Sequence, residues 1–147
     1  MTSMNIIKLS SDGHATLDAF LVDRIYEFNA KTTGFHDGEV FAAAFRNSTG
    51  DVIAAVTGHT WGGTCHVTHL WVQEDHRRAG LGSSLMVAVE SDARNRGCSQ
   101  VILATHTFQA PAFYERLGYK QQASITDYPQ GYAQLHYFKS LAGASGD

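Results

Sequence analysis

At 147 residues, with 44% hydrophobic and 17% charged side chains, the chain has the size and composition of a single globular domain spanning 1–147. A formal net charge of -3 argues against broad nucleic-acid binding, which calls for a basic excess. No apolar run approaches the roughly 20 residues of a membrane helix, and no basic-then-apolar signal pattern opens the chain. Its two cysteines, Cys65 and Cys98, lack CxxC spacing, so a reduced, cytoplasmic protein with no metal site is expected. The alternating run Met4–Leu9 predicts a first strand. From about Ala15 to Ala30, Leu17, Phe20, Leu21, Ile25 and Phe28 recur at three- and four-residue steps and mark one helical face, which Thr32-Thr33-Gly34 ends. Val40–Arg46 is apolar on both faces, as a central strand would be. The turn cluster Asn47–Asp51 sends the next strand, Val52–Trp61, back antiparallel, and Gly62-Gly63 turns it again into Thr64–Val72. A helix follows with Leu81, Leu85, Val89 and Ala93 at four-residue spacing, closed by Arg94, Arg96 and Gly97. Val101–Ala104 is a short buried strand, Pro111 to Gly118 frames a short helix, and strands at Tyr119–Ser124 and Tyr132–Lys139 flank a loop. The tail 142–147 should fray. Both cysteines fall where packing, not nucleophilic chemistry, is the expected role.

The stretch from His69 to Met86 reads as a strand, a charged bend, a basic glycine-bearing turn and a helix. Such a turn aims several backbone N–H groups at one point, and the helix N-terminus adds partial positive charge, so the point suits a phosphate. A P-loop is excluded because Ser83-Ser84, not lysine with Ser or Thr, follows Gly82; a dinucleotide fingerprint is excluded because no third glycine stands near Leu85. What remains is Arg77-x-x-Gly80-x-Gly82, preceded by Leu70-Trp71-Val72 and followed one βα unit later by Ala110-Pro111-Ala112-Phe113-Tyr114-Glu115-Arg116-Leu117-Gly118-Tyr119.

In these two segments, which span roughly residues 64 to 119, the sequence resembles the GNAT superfamily of acyl-CoA-dependent N-acetyltransferases, as a small bacterial-type member. The resemblance implies an α/β (α+β) fold with a mixed, mostly antiparallel sheet of about six to seven strands flanked by helices. It implies acetyl-CoA as cofactor. The pyrophosphate would lie on main-chain amides of Arg77, Arg78, Ala79, Gly80, Leu81, Gly82, Ser83 and Ser84, where glycine lets the backbone come close. The pantetheine arm would run along Leu70, Trp71 and Val72, with the Val72 N–H as oxyanion donor. Gln109 stands where many members carry a CoA-contacting asparagine. Tyr114 matches the tyrosine that protonates the leaving thiolate; taken by itself it is a core-edge aromatic. His66 falls, in register, where several members place a catalytic glutamate or histidine, and alternation would put it on one face with Thr68, Leu70 and Val72. The residues alone leave the base open between His66, Glu74 and a water.

For the acceptor, Tyr26, Phe35, Trp61 and Tyr128 are the candidates, joined by Asn29, His36, His59 and Tyr132, with Glu39 and Asp127 able to attract a cation. The expected reaction is direct acetyl transfer to a small primary amine. A protein or peptide acetyltransferase, and a non-catalytic acyl-CoA-binding module, are the alternatives. No nucleic-acid or membrane partner is expected, and a homodimer is compatible with the resemblance.

Overall fold

The computed structural model describes residues 7–141. The chain forms two compact units, Met1–His36 and Asp37–Asp147. In the first, helix α1 (His14–Thr33) carries the predicted apolar spacing and ends at Gly34, whose φ of 81° lets its N–H return to the Ala30 carbonyl at 2.8 Å. The predicted strand Met4–Leu9 lies partly outside the described residues; Ile7–Leu9, within them, are not in a strand. The predicted frayed tail also lies outside them.

The second unit holds a six-stranded sheet in the order β1-β2-β3-β4-β6-β5. Its strands are β1 (Glu39–Arg46), β2 (Val52–Trp61), β3 (Thr64–Val72), β4 (Gln100–His106), β5 (Lys120–Thr126) and β6 (Ala133–Ser140). Helix α2 (Leu81–Asn95) follows β3, and the six-residue α3 (Pro111–Arg116) follows β4. Every neighbouring pair is antiparallel except β3 and β4. The mixed, mostly antiparallel sheet expected from the sequence is thus present. One placement differs: β1 is an edge strand, exposed along most of its length, not a central one. Its run Ala42-Ala43-Ala44 is apolar but small, so leaving it uncovered forgoes little hydrophobic free energy.

The α2 stripe is buried as its spacing predicts. Leu85, Met86, Val89 and Ala93 pack with Val56, Cys65, Val67, Val101, Leu103 and Tyr137 in the core. Cys65 and Cys98 are buried free thiols, and desolvation pushes the Cys65 thiol up to about 12, so both are packing residues. A charged residue also lies in this core. Glu90 of α2 accepts a hydrogen bond from the Tyr119 hydroxyl (2.9 Å) and pairs with Lys139 Nζ (2.8 Å), which satisfies both carboxylate oxygens.

Two irregularities shape the middle of the sheet. The first is a bulge in β3: Gly58 pairs with Val67 but Thr57 with His69, leaving Thr68 extra. The Thr68 hydroxyl donates to the Thr57 carbonyl at 3.0 Å and pins the bulge. The bulge overturns the simple alternation read from sequence. Cys65, Val67, Leu70 and Val72 face the helix-covered core, so His66 does not share a face with Leu70 and Val72. The second is a parting of strands. β3 and β4 pair only at Thr64–Gln100, Cys65–Val101 and His66–Ile102, yet β3 continues to Val72 and β4 to His106. Beyond His66 the strands part and leave a gap.

Candidate active site

Both sides of that gap can be built from the backbone upward. The Gln73 N–H bonds the Ile53 carbonyl (2.8 Å), which makes Ala54–Val72 a non-hydrogen-bonded pair of the antiparallel ladder. By alternation Val56–Leu70 is another. The N–H and C=O groups of Leu70 and Val72 therefore point away from β2, toward β4, where no strand meets them. Trp71 is the reverse: its main chain belongs to the β2 ladder, and its half-exposed side chain lies on the face away from α2 and α3. Of Leu70, Trp71 and Val72, the structure offers two amides to a pantetheine arm.

The turn at the end of β3 narrows in the same way. The Arg77 N–H already bonds Glu74 O (3.2 Å) and the Ser84 N–H bonds Gly80 O (3.0 Å). Between them, the N–H groups of Arg78, Ala79, Gly80, Leu81, Gly82 and Ser83 have no partner among the described residues, and no side chain caps α2. Arg78 (φ 70°) and Gly80 (φ 80°) are left-handed, which turns this run of amides into a concave path. Free donors at a helix N-terminus suit the pyrophosphate of acyl-CoA. Arg77 is folded back, its Nε–H donating to the Val72 carbonyl at 3.1 Å, so it fastens the turn to the strand end while its other guanidinium donors stay available.

Gly82 has a different reason to be glycine than the sequence implies. It is buried, and a Cβ built on it would lie 3.3 Å from the Phe113 ring and 3.5 Å from Val72 Cγ2. Gly82 lets α2, α3 and the end of β3 meet at one point. Next to Phe113 stands Tyr114, buried on α3, its ring edge-on to Phe113 (5.1 Å) and to Tyr119 (5.9 Å). Its hydroxyl bonds no described group, and among the described residues no buried polar side-chain atom is left without a partner, so the hydroxyl reaches the protein surface. Desolvation pushes its pKa up to about 12, which keeps the proton on the oxygen. Gln109 turns its amide oxygen inward, accepting from the His106 N–H (2.7 Å) and the Thr105 hydroxyl (3.3 Å). Its amide nitrogen is what remains for a cofactor contact.

On the other face, His66 lines a cavity of ≈ 270 Å³ with Ile102, Ala104, Gln122, His136 and Phe138. Its ring meets His59 edge-on at 5.1 Å. Burial, then the charges of His59 and His136, lower its pKa from the usual 6.5, so the neutral imidazole is favoured. His136 is a neighbour the sequence reading did not single out; its link to His66 runs through the pairing of β4 with β6, which strand alternation alone does not reveal.

The acceptor candidates belong to different units and loops. Trp61 sits at the β2–β3 hairpin tip, beside Asp37, Glu39, Arg96 and Cys98, at the opposite end of β3 from the basic turn. A nine-residue strand spans about 30 Å, so the structure does not bring Trp61 into this site. Tyr26 lies on α1 and Phe35 just beyond it, both in the first unit. Tyr128 stands in the β5–β6 loop, at the open end of the gap.

Residues 9–119 match the Acetyltransferase (GNAT) family. The chain is 43% identical over 104 residues to a blasticidin-S acetyltransferase of Streptomyces morookaense, covering 70% of this chain and 76% of the relative. It is 30% identical over 122 residues to the acetyltransferase Atu2258 of Agrobacterium fabrum, covering 83% and 88%. Among solved structures, a putative acetyltransferase from Agrobacterium tumefaciens superposes with a TM-score of 0.82 at 25% identity, over 95% of this chain and all of that one. An acetyltransferase from Bacillus cereus gives 0.76 at 27% identity, over 93% and 98%.

Proposed function

We propose that this chain, which belongs to the GNAT family of acetyltransferases, carries an acetyl group from acetyl-CoA to the primary amine of a small molecule, directly, in a ternary complex. The observation that carries the reading is the parting of β3 and β4. It leaves the Leu70 and Val72 amides facing an open gap, with an unengaged tyrosine hydroxyl on the helix side and a neutral-biased histidine on the other. The identity with a relative named for blasticidin S, a small molecule, supports a small acceptor.

Acetyl-CoA supplies an activated acyl group as its thioester. The free amides of Arg78 to Ser83 hold its pyrophosphate, and the edge of β3 holds the arm as a partner strand would. Leu70 and Val72 both offer an N–H to the thioester oxygen. Leu70 is four residues past His66, about 13 Å along an ideal strand, and Val72 six, about 20 Å. The Thr68 bulge shortens both paths. Leu70 is the nearer of the two amides to His66, so the oxyanion contact falls to Leu70 and the arm contact to Val72. His66 takes the amine proton, and Tyr114 gives its proton to the departing sulfur.

A screen of amines for CoA release tests this. Acetylation of small primary amines is the expected result; activity confined to peptides would overturn the small-molecule reading, and no release with any acceptor would overturn catalysis.

A further inference from the structure

Four rings gather at the open end of the gap. His106 closes β4, Phe108 follows in the next turn, and Tyr128 and Tyr132 come from the β5–β6 loop. His106 and Phe108 stack at 5.3 Å and 13°; Tyr128 meets His106 edge-on at 5.1 Å, and Tyr132 meets Phe108 edge-on at 5.0 Å. Phe108, Tyr128 and Tyr132 are nonetheless each more than half exposed. Their loops are bound to each other. The Thr107 N–H bonds Ala133 O (2.9 Å), the Ala133 N–H bonds Thr107 Oγ1 (3.3 Å), and His106 Nδ1–H donates to Tyr128 O (2.9 Å). This is a prefixed aromatic surface left in water, which a core would have buried.

Its position assigns it to the acceptor and not to the cofactor. Along β4, Val101, Leu103 and Thr105 are buried on the helix side, so Ile102, Ala104 and His106 lie on the face that carries the His66 cavity. The basic turn and α2 belong to the other face. Ile102 pairs with His66, and His106 lies beyond Ile102 on β4 as Leu70, past the Thr68 bulge, lies beyond His66 on β3, so the rings stand on the β4 side of the gap that the Leu70 amide faces from β3. An acceptor whose amine enters the gap lays its remainder over them.

We infer that the acceptor carries a planar aromatic or heteroaromatic ring, stacked on the His106–Phe108 slab and edged by Tyr128 and Tyr132. The inference rests on the small-amine reading above and deepens it. An offset ring on an aromatic face gains about 0.5–1.5 kcal/mol beyond area burial, which corresponds to a preference of about 2- to 13-fold.

The test pairs 2-phenylethylamine with 2-cyclohexylethylamine, alike in reach but flat against puckered. Wild-type enzyme should show the lower KM for the phenyl compound. Phe108→Leu should erase that preference by raising the KM for the phenyl compound more than the KM for the cyclohexyl one, with the KM for acetyl-CoA and the melting temperature in place. Equal KM values in the wild type, a parallel rise for both amines, or a rise confined to acetyl-CoA would overturn it. The same two amines titrated by NMR into the CoA complex decide the matter independently of turnover. Phenyl-proton broadening that Phe108→Leu removes supports the ring site, and no broadening overturns it, whereas the amine screen alone judges whether acetylation occurs.

Discussion

Tyr114 and His66 stand on opposite faces of one sheet, and desolvation acts on both by penalising the charged form. It raises the phenol to about 12 and lowers the imidazole below 6.5. At neutral pH one group therefore keeps its proton to give and the other lacks one and can receive, as a general acid and a general base require. Tyr114→Phe keeps the ring packing and removes only the hydroxyl; turnover should fall about 10²-fold or more with the KM for acetyl-CoA nearly unchanged, and steady-state kinetics read both. For His66 the sign follows from the lowered pKa. The neutral base persists as pH falls through 6.5, and the rate drops only at more acid pH, as the folded-state pKa is crossed. His66→Gln should remove that acid limb from the kcat profile; an acid limb kept intact would assign it to another group. At this scale the sequence is informative where the candidate site is local in the chain. Arg77, Gly80, Gly82 and Tyr114 were legible because a turn and a helix start are built from consecutive residues. His136 was not, because only strand pairing brings β6 beside β4.

The bulge at Thr68 decides what β3 can do, because one extra residue reverses the faces of everything beyond it. Strict alternation, the only rule available from sequence, gave His66 and Val72 one face; the folded strand gives them opposite faces. The signal that marks the bulge is Gly58, directly across on β2. A Cβ there would run into the His66 carbonyl and the Phe41 ring, so the backbones approach as closely as they do only because the residue is glycine. Gly58→Ala should therefore push β2 from β3 at the level of His66. The expected cost is about 1–3 kcal/mol, seen as a lower urea midpoint, together with a fall in kcat larger than the change in KM for acetyl-CoA. The free amides of Arg78 to Ser83 lie at the far end of β3, beyond that disturbance. An acetyl-CoA affinity lost in parallel with kcat would show that Gly58 supports the whole site and not the His66 end alone.

Within the second unit, the two sides of the sheet, β1-β2-β3 and β4-β6-β5, are joined directly by only three residue pairs before the gap opens. The gap between β3 and β4 leaves the rest of the joining to the core. The amphipathic stripe of α2 was legible in the sequence from its four-residue spacing. The buried charge on the same helix was not, because Glu90 reads as a surface residue until Tyr119 and Lys139 are placed around it. Glu90 carries α2 across to β6 through Lys139 Nζ at 2.8 Å and to the start of β5 through the Tyr119 hydroxyl at 2.9 Å. Lys139→Met would leave the carboxylate buried without its cation, and removing one member of such a pair costs about 3–5 kcal/mol. Glu90→Gln removes the charge and keeps an amide oxygen for the Tyr119 hydroxyl. The double variant Glu90→Gln, Lys139→Met should then be no less stable than Lys139→Met alone, since the unpaired charge has gone with its partner. Urea unfolding of the wild type, both single variants and the double variant closes the cycle. Additive losses would mean that the pair contributes nothing as a pair, and that hydrophobic packing alone holds the sheet together across the gap.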